Sequence, residues 1–387
     1  MPLNYLELEP QIAQYARSAV ELSKELADKL DTALKLIQAC GQHHAEKKEL
    51  ISRAIEAQSD PPRCALIVHE PADQSYDCSF DNSTPYTLLA SDGSQISPSG
   101  HDAVSIALIN TSRIYFRQGS GSAPEIIWKT SFLFDEDGRI DLAQMSDDLV
   151  ALRRDMSEME ILGRFAGNAA EPTIALGDGP LELFHQPRQG ENFEKCFKDY
   201  LDMLKAIQLK GMGLAGYTDR PRAALVTRML EFSVPASEPK VNLSKLEDQA
   251  IFKQLLTPGG RSAIFELRST ASPRYEDDLA LYFFYLNVGS AGKPWIARVE
   301  IPRWVAEDGV KTNLVHRALL DQCALMAARP YPYILHRAHE EAVVRFEEKE
   351  RLVERLSSEL SQHGLGISQP SNKQNAKDLG ARRRIGK

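Results

Sequence analysis

The fold of this chain is decided by the stretch Leu88-Leu89-Ala90-Ser91-Asp92-Gly93-Ser94-Gln95. A short apolar run ends there in an aspartate and a glycine, and a run of this length bounded by a turn signal is typical of a buried strand. Glycine tolerates positive φ, so we expect Asp92-Gly93 to form the tight turn that ends the strand. The stretch therefore predicts one carboxylate at the end of a buried strand.

The same pattern recurs later as Thr173-Ile174-Ala175-Leu176-Gly177-Asp178-Gly179. It predicts a second strand that ends in the carboxylate of Asp178. Two carboxylates of this kind are what a metal site at the edge of a sheet uses. Each Asp-Gly pair taken alone is equally typical of an ordinary loop, because both residue types favour turns.

Composition limits the class of protein. The 387 residues allow one large domain or two of ordinary size, and 43% hydrophobic content is normal for a packed core. Five cysteines occur without any paired C-x-x-C spacing, which predicts neither a zinc site nor a disulfide framework. Residues 1–5 lack the features of a signal peptide, and no apolar run approaches the roughly 18 residues of a membrane span. We expect a soluble, cytoplasmic protein.

Charge argues against a chain that coats nucleic acid by bulk electrostatics, because the net charge is −8 and the pI is about 5.7. Any polyanion must then bind to a local basic patch. Residues 205–228 and the tail from Gly364 onward could each supply one. For the tail, the alternatives are a solvated, disordered segment and a basic arm that meets phosphates or a partner.

The order of elements follows from the hydrophobic periodicity. Residues 6–57 predict one long helix or a helical hairpin that breaks at Gly41. Beyond Pro61-Pro62 we expect strands, helices and one polar helical insertion, in this order: strands 86–90, 102–116 and 125–134, helix 143–166, strand 173–176, helix 191–209, strand 213–217, the insertion at about 236–262, strands 262–268, 279–288 and 295–302, helix 313–328, and a final helix 335–361.

This order predicts an α/β fold with a mixed sheet flanked by helices, preceded by an N-terminal helical arm and closed by a long C-terminal helix. The domain boundaries are expected at 1–60 for the arm, 61–363 for the main domain and 364–387 for the basic, disordered tail. Three strands, a helix and a strand are the order of ribonuclease-H-like nuclease domains. There, a carboxylate of the first strand meets one from the strand after the first helix, as Asp92 and Asp178 would. The intervening helix should then offer a third acid, from among Asp155, Glu158 and Glu160.

Five segments in order resemble the NurA family, over about residues 84–344, and the cyanobacterial branch looks closest. They are Ser91-Asp92-Gly93-Ser94, Leu176-Gly177-Asp178-Gly179-Pro180-Leu181, Gly216-Tyr217-Thr218-Asp219-Arg220-Pro221-Arg222, Arg298-Val299-Glu300-Ile301-Pro302 and Tyr331-Pro332-Tyr333-Ile334-Leu335-His336-Arg337-Ala338-His339. The resemblance implies a manganese-dependent DNA nuclease with 5′-to-3′ exonuclease and single-strand endonuclease activity in DNA end resection and repair. It also implies a homodimer that works beside a HerA-type hexameric DNA translocase.

The resemblance further implies a metal site lined by Asp92, Glu158, Asp178 and His339. Helical geometry places Glu158 and Glu160 on different faces and does not itself choose between them. The resemblance favours Glu158, because it stands in the Glu-x-Glu pattern where the family's glutamate opens the segment. The donor set itself suits hard or borderline divalent ions, and the one nitrogen ligand leans towards Mn²⁺, with Mg²⁺ possible. Two ions about 3.5–4 Å apart would act on the attacking water and on the leaving oxygen in phosphodiester hydrolysis. For His339 the alternative is a structural histidine.

Candidates for DNA binding lie in the third segment. Arg220, Arg222 and Arg228 can clamp phosphates, and the alternative for them is surface ion pairs. Tyr217 either stacks on a base or fills the core. Glu300 is either a carboxylate on an outer edge or the partner of an arginine.

Two other functions compete with a DNA nuclease. One is a catalytically silent adaptor that guides DNA at a translocase ring, and the other is a ribonuclease acting on RNA or hybrids. No P-loop pattern occurs, so we expect the chain itself not to hydrolyse ATP and the energy to come from a partner.

Overall fold

The computed structural model describes residues 3–79, 84–99, 104–133, 145–166, 171–185, 193–326 and 329–365. The chain divides into two compact units. The first, called here the N-terminal unit, comprises Met1–Asn82, Gly179–Leu181 and Ala215–Tyr331. The second, called the Asp92 unit, comprises Ser83–Asp178, Glu182–Leu214 and Pro332–Lys387. The basic tail beyond Leu365 falls outside the described residues, and the predicted domain boundaries stay predictions.

Nine strands, ten α-helices and two short 3₁₀ helices occur in the described part of the chain. The strands are β1 (Cys64–Ile67), β2 (Thr87–Ile96), β3 (Leu108–Arg117), β4 (Glu125–Phe132), β5 (Thr173–Asp178), β6 (Gly213–Asp219), β7 (Phe265–Arg268), β8 (Leu281–Asn287) and β9 (Ile296–Pro302). The helices are α1 (Tyr5–Gln42), α2 (His44–Glu56), α3 (Asp147–Gly163), α4 (Phe193–Leu209), α5 (Leu225–Phe232), α6 (Asp248–Leu255), α7 (Arg303–Ala306), α8 (Gly309–Ala324), α9 (Tyr333–Ala342) and α10 (Phe346–Gln362). None of these helices is long and apolar enough to cross a membrane.

The Asp92 unit carries a mixed sheet. Strand β2 pairs in parallel with β5 and antiparallel with β3, and β3 pairs antiparallel with β4, so the order is β5-β2-β3-β4. Helix α3 connects the antiparallel strands to β5, and both α3 and α9 pack on β2 and β3. The predicted α/β class with a ribonuclease-H-like mixed sheet and flanking helices is confirmed.

In the N-terminal unit, β1, β7, β8, β9 and β6 lie in that order, and each described pairing is antiparallel. Strand β1 was not expected from the sequence. The predicted insertion contains helix α6, whose buried Asp248 accepts hydrogen bonds from the backbone N–H groups of Leu225, Val226 and Thr227. Asp248 therefore caps the N-terminus of α5, because the first N–H groups of a helix have no partner within the helix.

Strand β2 does not end at Asp92, so the expected turn at Asp92-Gly93 is wrong. The ladder with β3 continues through Asp92↔Ser112 and Gly93↔Thr111 to Ile96↔Leu108. Pairing with a neighbouring strand decides the conformation here, and the local turn preference of Asp-Gly does not. At the second Asp-Gly pair the turn is confirmed, because Gly179 adopts a φ of +93°.

The final helix predicted over 335–361 is two helices, α9 and α10, separated at residues 343–345. The carbonyl of Ala342 accepts hydrogen bonds from Ser94 Oγ at 2.5 Å and Asn110 Nδ2 at 2.8 Å. Val344 N donates to the same Ser94 hydroxyl at 3.2 Å, and the side chain of Glu348 accepts from Arg345 N to begin α10. Side chains of β2 and β3 therefore end α9, and no breaker residue is needed.

The N-terminal helices also break at a different residue. Gly41 was expected to interrupt them, whereas the structure places it inside α1 and the break at His43. A Cβ on Gly41 would lie 1.7 Å from Asp73 Oδ1, so this glycine allows close packing against Asp73. Gly41 therefore serves close packing within the helix, and its low helix propensity does not end the helix.

Helix α8 buries a histidine, and this leads to a prediction about acid stability. His316 is fully buried, its Nε2 lies 2.7 Å from the carbonyl oxygen of Gly259, and burial lowers its pKa to about 4. Between pH 6.5 and pH 4 the unfolded chain binds a proton that the folded chain does not. The free energy of unfolding should therefore fall by about 3 kcal/mol across this window from His316 alone.

Urea unfolding at pH 4.5 and pH 7 measures this loss. The variant His316→Gln, which keeps a donor for Gly259 but does not titrate, should lose less stability on acidification than the wild type. Equal losses in the two proteins would contradict the prediction.

Candidate functional site

Asp92 lies in β2 with only 8% of its surface exposed. Its Oδ2 is 2.6 Å from Nδ1 of His339, and its Oδ1 accepts a hydrogen bond of 2.8 Å from Gly93 N. The structure thus brings together the first and the last of the four predicted site residues. When His339 Nδ1–H donates to Asp92, the ring Nε2 carries the lone pair that a metal ion would use.

Helix α9 fixes the position of His339 on the sheet. Ser112 Oγ in β3 donates to the carbonyl of Ala338 at 2.7 Å, and Ser94 Oγ donates to that of Ala342. His339 lies between these two anchors, and its side chain is 61% exposed. A rigid backbone therefore carries an accessible imidazole.

Asp178 is placed by the parallel pairing of β2 and β5. The last paired residues are Ser91 and Gly177, so Asp92 and Asp178 are the next residues of the two strands. Neighbouring strands run about 4.8 Å apart, and residues in register face the same side of a sheet. Asp178, at the end of β5, is exposed, whereas Asp92, in the middle of β2, is buried.

Glu158 comes from α3 and is only 6% exposed. Burial raises its pKa well above the usual range, and the negative charges of Asp155, Asp92 and Asp178 raise it further, against the opposing effect of Arg154. An acid surrounded by other acids in a buried position is costly for a folded protein. Such clusters are characteristic of functional sites.

Glu160 faces elsewhere. It forms ion pairs with Lys129, at 2.5 Å, and with Arg164. Of the two glutamates between which the sequence left a choice, Glu158 is thus the one that lies beside the aspartates.

The lack of a side chain at Gly93 lets Glu158 come close to strand β2. Successive residues of a strand face opposite sides, so Ser91 and Gly93 face α3, and Ser91 Oγ donates to the carbonyl of Glu158. Asp92 faces α9 and His339. A Cβ on Gly93 would lie 2.7 Å from Arg154 Cγ and 2.8 Å from Glu158 Oε1, so these two side chains occupy the space that a residue with a side chain would fill.

A prediction follows for Gly93→Ala. The new methyl group must displace Arg154 and Glu158, so we expect DNA cleavage to fall at least about tenfold, with a loss of about 1–3 kcal/mol in stability from overpacking. Cleavage rates and urea unfolding measure the two effects. Gly163→Ala is the matched control. Gly163 is the last residue of α3, the helix that carries Arg154 and Glu158, and a Cβ there meets its nearest atom at 3.7 Å. Equal cleavage by the two variants would contradict the prediction.

A second group of charges adjoins Glu158 on α3. Asp155 Oδ1 accepts from Arg154 Nη2 at 2.8 Å, and Asp155 Oδ2 lies 3.1 Å from His185 Nε2. The hydrogen bond to Asp155 is the largest cause that raises the pKa of His185. Sequence reasoning missed Arg154, although its spacing of four residues from Glu158 was a readable signal for an ion pair.

The donor set fits a divalent metal chemically, since it consists of three carboxylates and an imidazole. The raised pKa of Glu158 fits as well, because a bound cation would relieve the repulsion between like charges. As the side chains stand, no three His, Cys, Asp or Glu side chains among the described residues are grouped closely enough to hold a metal ion. The metal centre therefore stays a prediction. Metal binding there would require the carboxylate side chains to move closer together.

The predicted DNA-binding residues belong to the N-terminal unit. Arg220 is 64% exposed, stacks over Trp295 with its Cζ 4.7 Å from the ring centroid, and contacts Asp219. Arg222 and Arg228 are exposed, and Arg228 Nη1 donates to the carbonyl of Arg63. All three present positive charge to solvent, as phosphate binding requires.

Tyr217 is fully buried. Its ring packs edge-on against Tyr331, with centroids 5.6 Å apart, and its hydroxyl lies 3.9 Å from Cys323 Sγ. The prediction that it stacks on a base is therefore not supported, because a base cannot reach the ring in this conformation. The other alternative, a core residue, describes its position.

Glu300 is also fully buried and lies 2.8 Å from Arg298 Nη2, and it accepts a hydrogen bond from the backbone N–H of Leu181 at 2.9 Å. It is the partner of an arginine, which was one of the two alternatives.

Comparison with known proteins gives the family. The NurA domain model matches residues 86–344. Among solved structures, the NurA nuclease from Sulfolobus solfataricus is 12% identical with a TM-score of 0.47, and the match covers 84% of this chain and 95% of that one. Endonuclease V from Ciona intestinalis, bound to an inosine-containing DNA, is 12% identical with a TM-score of 0.35, and the match covers 80% of this chain and 98% of that one.

Human endonuclease V is 10% identical with a TM-score of 0.34, and the match covers 81% of this chain and 99% of that chain. No curated protein sequence matches significantly. The match to the family model extends over more than half of the 387 residues. The protein therefore belongs to the NurA domain family.

Proposed function

We propose that this protein is a metal-dependent nuclease that hydrolyses phosphodiester bonds in DNA. The observation that carries the proposal is the hydrogen bond between His339 and Asp92, with Asp178 following the last paired residue of β5 and with the buried Glu158 near enough for the charges of both aspartates to raise its pKa. Membership of the NurA domain family supports it. The finer activities that we propose are 5′-to-3′ exonuclease and single-strand endonuclease cleavage in DNA end resection.

Asp92, Glu158, Asp178 and His339 would hold the metal, for which we propose Mn²⁺, with Mg²⁺ as a substitute. Bound divalent ions supply Lewis acidity at the phosphate and a water of lowered pKa, as in two-metal hydrolysis. The residues of the chain supply the rest. Asp92 orients the imidazole of His339 through its Oδ2, and the openness of Asp178 leaves room for a polyanion to approach.

The exposed arginines Arg220, Arg222 and Arg228 are proposed to bind the DNA backbone. Guanidinium groups bind phosphates bidentately and independently of sequence, which suits a nuclease without strict sequence preference. The stacking of Arg220 on Trp295 holds one of these groups in place without consuming its charge.

Cleavage of labelled single-stranded oligonucleotides tests the proposal. We expect Mn²⁺ to support cleavage, EDTA to abolish it, and a 5′ label to be released before a 3′ label. An RNA or hybrid substrate that is cleaved faster than DNA would favour a ribonuclease. Binding of DNA without any cleavage in Mn²⁺ or Mg²⁺ would contradict the proposal and favour a silent adaptor.

We further propose that the protein works as a homodimer beside a HerA-type hexameric ATPase. Residues of α1 spaced alternately by three and four carry apolar or small side chains, namely Tyr5, Leu8, Ile12, Tyr15, Ala19, Leu22 and Leu26. Tyr5, Ile12 and Tyr15 are 69%, 58% and 78% exposed. The same helix buries Ala33 and Ile37 further along, so its outer part presents an uncovered face of the kind that pairs helices.

A charge on this face should weaken the dimer. We expect Tyr15→Glu to shift the protein from twice the 43.2 kDa chain mass towards the mass of one chain in light scattering. Gln14→Glu, which adds the same charge one residue away and off this face, should leave the mass unchanged. A wild-type protein that is monomeric at micromolar concentration would contradict the proposed dimer.

A further inference from the structure

Arg154 occupies an unusual position for a surface arginine, because its side chain lies in the space left by Gly93. A Cβ on Gly93 would be 2.7 Å from Arg154 Cγ and 3.3 Å from its Cδ. The guanidinium Nε is 3.5 Å from Glu158 Oε1, and the side chain is 30% exposed. A positive charge is thus held beside the buried acid Glu158.

We propose that Arg154 is an internal counter-ion that balances the charges of Glu158 and Asp92 in the absence of metal and moves away from Glu158 when metal binds. The inference rests on the proposed nuclease function, because it concerns the same site. It goes further by assigning a role in metal loading to a residue that is not a metal ligand.

Three observations support this role. The charges of Asp155, Glu158 and Asp92 all stabilise the protonated guanidinium and, against the effect of burial, raise the pKa of Arg154. At 3.5 Å the contact with Glu158 is an ion pair without a close hydrogen bond, so it can be released at low cost. Arg154 Cγ and Glu158 Oε1 lie side by side over Gly93, 2.7 Å and 2.8 Å from where a Cβ would stand, so the arginine and the acid share one confined space.

Asp155 provides Arg154 with an alternative partner. It binds Arg154 through Nη2 at 2.8 Å and Nε at 3.2 Å, both closer than the contact with Glu158. The second oxygen of Asp155 lies 3.1 Å from His185 Nε2, which holds the carboxylate in place. Arg154 can therefore leave Glu158 and remain paired, so its movement does not expose an unpaired charge.

The test is direct measurement of Mn²⁺ binding to the full-length protein without DNA, by electron paramagnetic resonance of free Mn²⁺. Arg154→Gln removes the competing charge and is expected to bind Mn²⁺ about tenfold more tightly than the wild type. Arg154→Met, which keeps the aliphatic stem beside Gly93, should behave in the same way and serves if Arg154→Gln does not fold. Arg154→Lys keeps the charge and should stay within about twofold of the wild type.

Arg153→Gln is the matched control, because it removes the same charge one residue earlier on α3 and should leave the affinity unchanged. Affinity that is unchanged or weaker in folded Arg154→Gln and Arg154→Met, while the wild type binds Mn²⁺, overturns the counter-ion role alone. An equal gain in Arg153→Gln overturns it as well, because the effect would then be one of net charge. Absence of Mn²⁺ binding in every variant and in the wild type overturns the proposed metal-dependent function and this inference with it.

A second readout does not depend on metal affinity. In EDTA, Arg154→Gln should melt at a lower temperature than the wild type, because the acids lose their counter-ion. Mn²⁺ should then raise its melting temperature more than that of the wild type. A variant that melts at or above the wild-type temperature without metal contradicts the counter-ion role.

Discussion

Asp92→Asn is expected to reduce Mn²⁺-dependent DNA cleavage by about 10³-fold or more and to leave the protein folded. Asparagine has nearly the same size and keeps an oxygen for the hydrogen bond from Gly93 N, so β2 should be unchanged. The substitution removes the negative charge of the carboxylate whose Oδ2 lies 2.6 Å from His339 Nδ1. Asp92 and Asp178 each follow the last residue paired in the ladder between β2 and β5. Cleavage rates at saturating Mn²⁺, with circular dichroism as a check of folding, measure the effect.

The control for Asp92→Asn is Asp147→Asn. Asp147 is an exposed acid in the first turn of α3, so its replacement changes the net charge equally without touching the acids near Gly93. It should retain full cleavage. If Asp92→Asn also cleaves at the wild-type rate, Asp92 does not take part in the reaction.

Glu158→Gln is expected to have two effects of opposite sign, namely a loss of cleavage comparable to that of Asp92→Asn and a gain in stability without metal. Burial and neighbouring carboxylates raise the pKa of Glu158 in the folded protein. Above the ordinary value of 4.5, the unfolded chain releases this proton more readily than the folded chain does, so ionisation favours unfolding as the pH rises towards the folded pKa. Glutamine removes that cost.

Melting temperatures in EDTA at pH 5 and pH 8 measure the stability effect. The gain in Glu158→Gln over the wild type should be larger at pH 8, where each 1 kcal/mol corresponds to about 2–4 °C. Glu160→Gln is the control, because it breaks the ion pairs with Lys129 and Arg164 and should bring no gain in stability. A Glu158→Gln protein that is less stable than the wild type at pH 8 would show that Glu158 contributes to stability and is not a strained functional acid.

The sequence was sufficient for the sheet of the Asp92 unit, because hydrophobic periodicity and the order of three strands, a helix and a strand are local properties. It was insufficient for the length of β2. Asp92-Gly93 reads as a turn in isolation, and only the ladder with β3 as far as Ile96↔Leu108 shows that the strand continues. The turn at Gly179 could be predicted, since nothing competes there with the preference of glycine for positive φ.

Long-range contacts decide the features that the sequence did not reveal. The end of α9 depends on Ser94 and Asn110, which lie more than 230 residues before Ala342. The close approach of α3 depends on the missing side chain of Gly93, which is visible only once β2 and α3 are packed together. The burial of Tyr217 follows in the same way from its contact with Tyr331.

The most direct test of the central claim is a crystal structure of the protein soaked in Mn²⁺, with anomalous scattering used to locate the metal. We expect anomalous peaks in contact with Asp92, Asp178 and Glu158, with His339 beside them and the guanidinium of Arg154 displaced from Glu158 towards Asp155. Anomalous peaks only at other places, or none at a Mn²⁺ concentration that supports cleavage, would contradict the account.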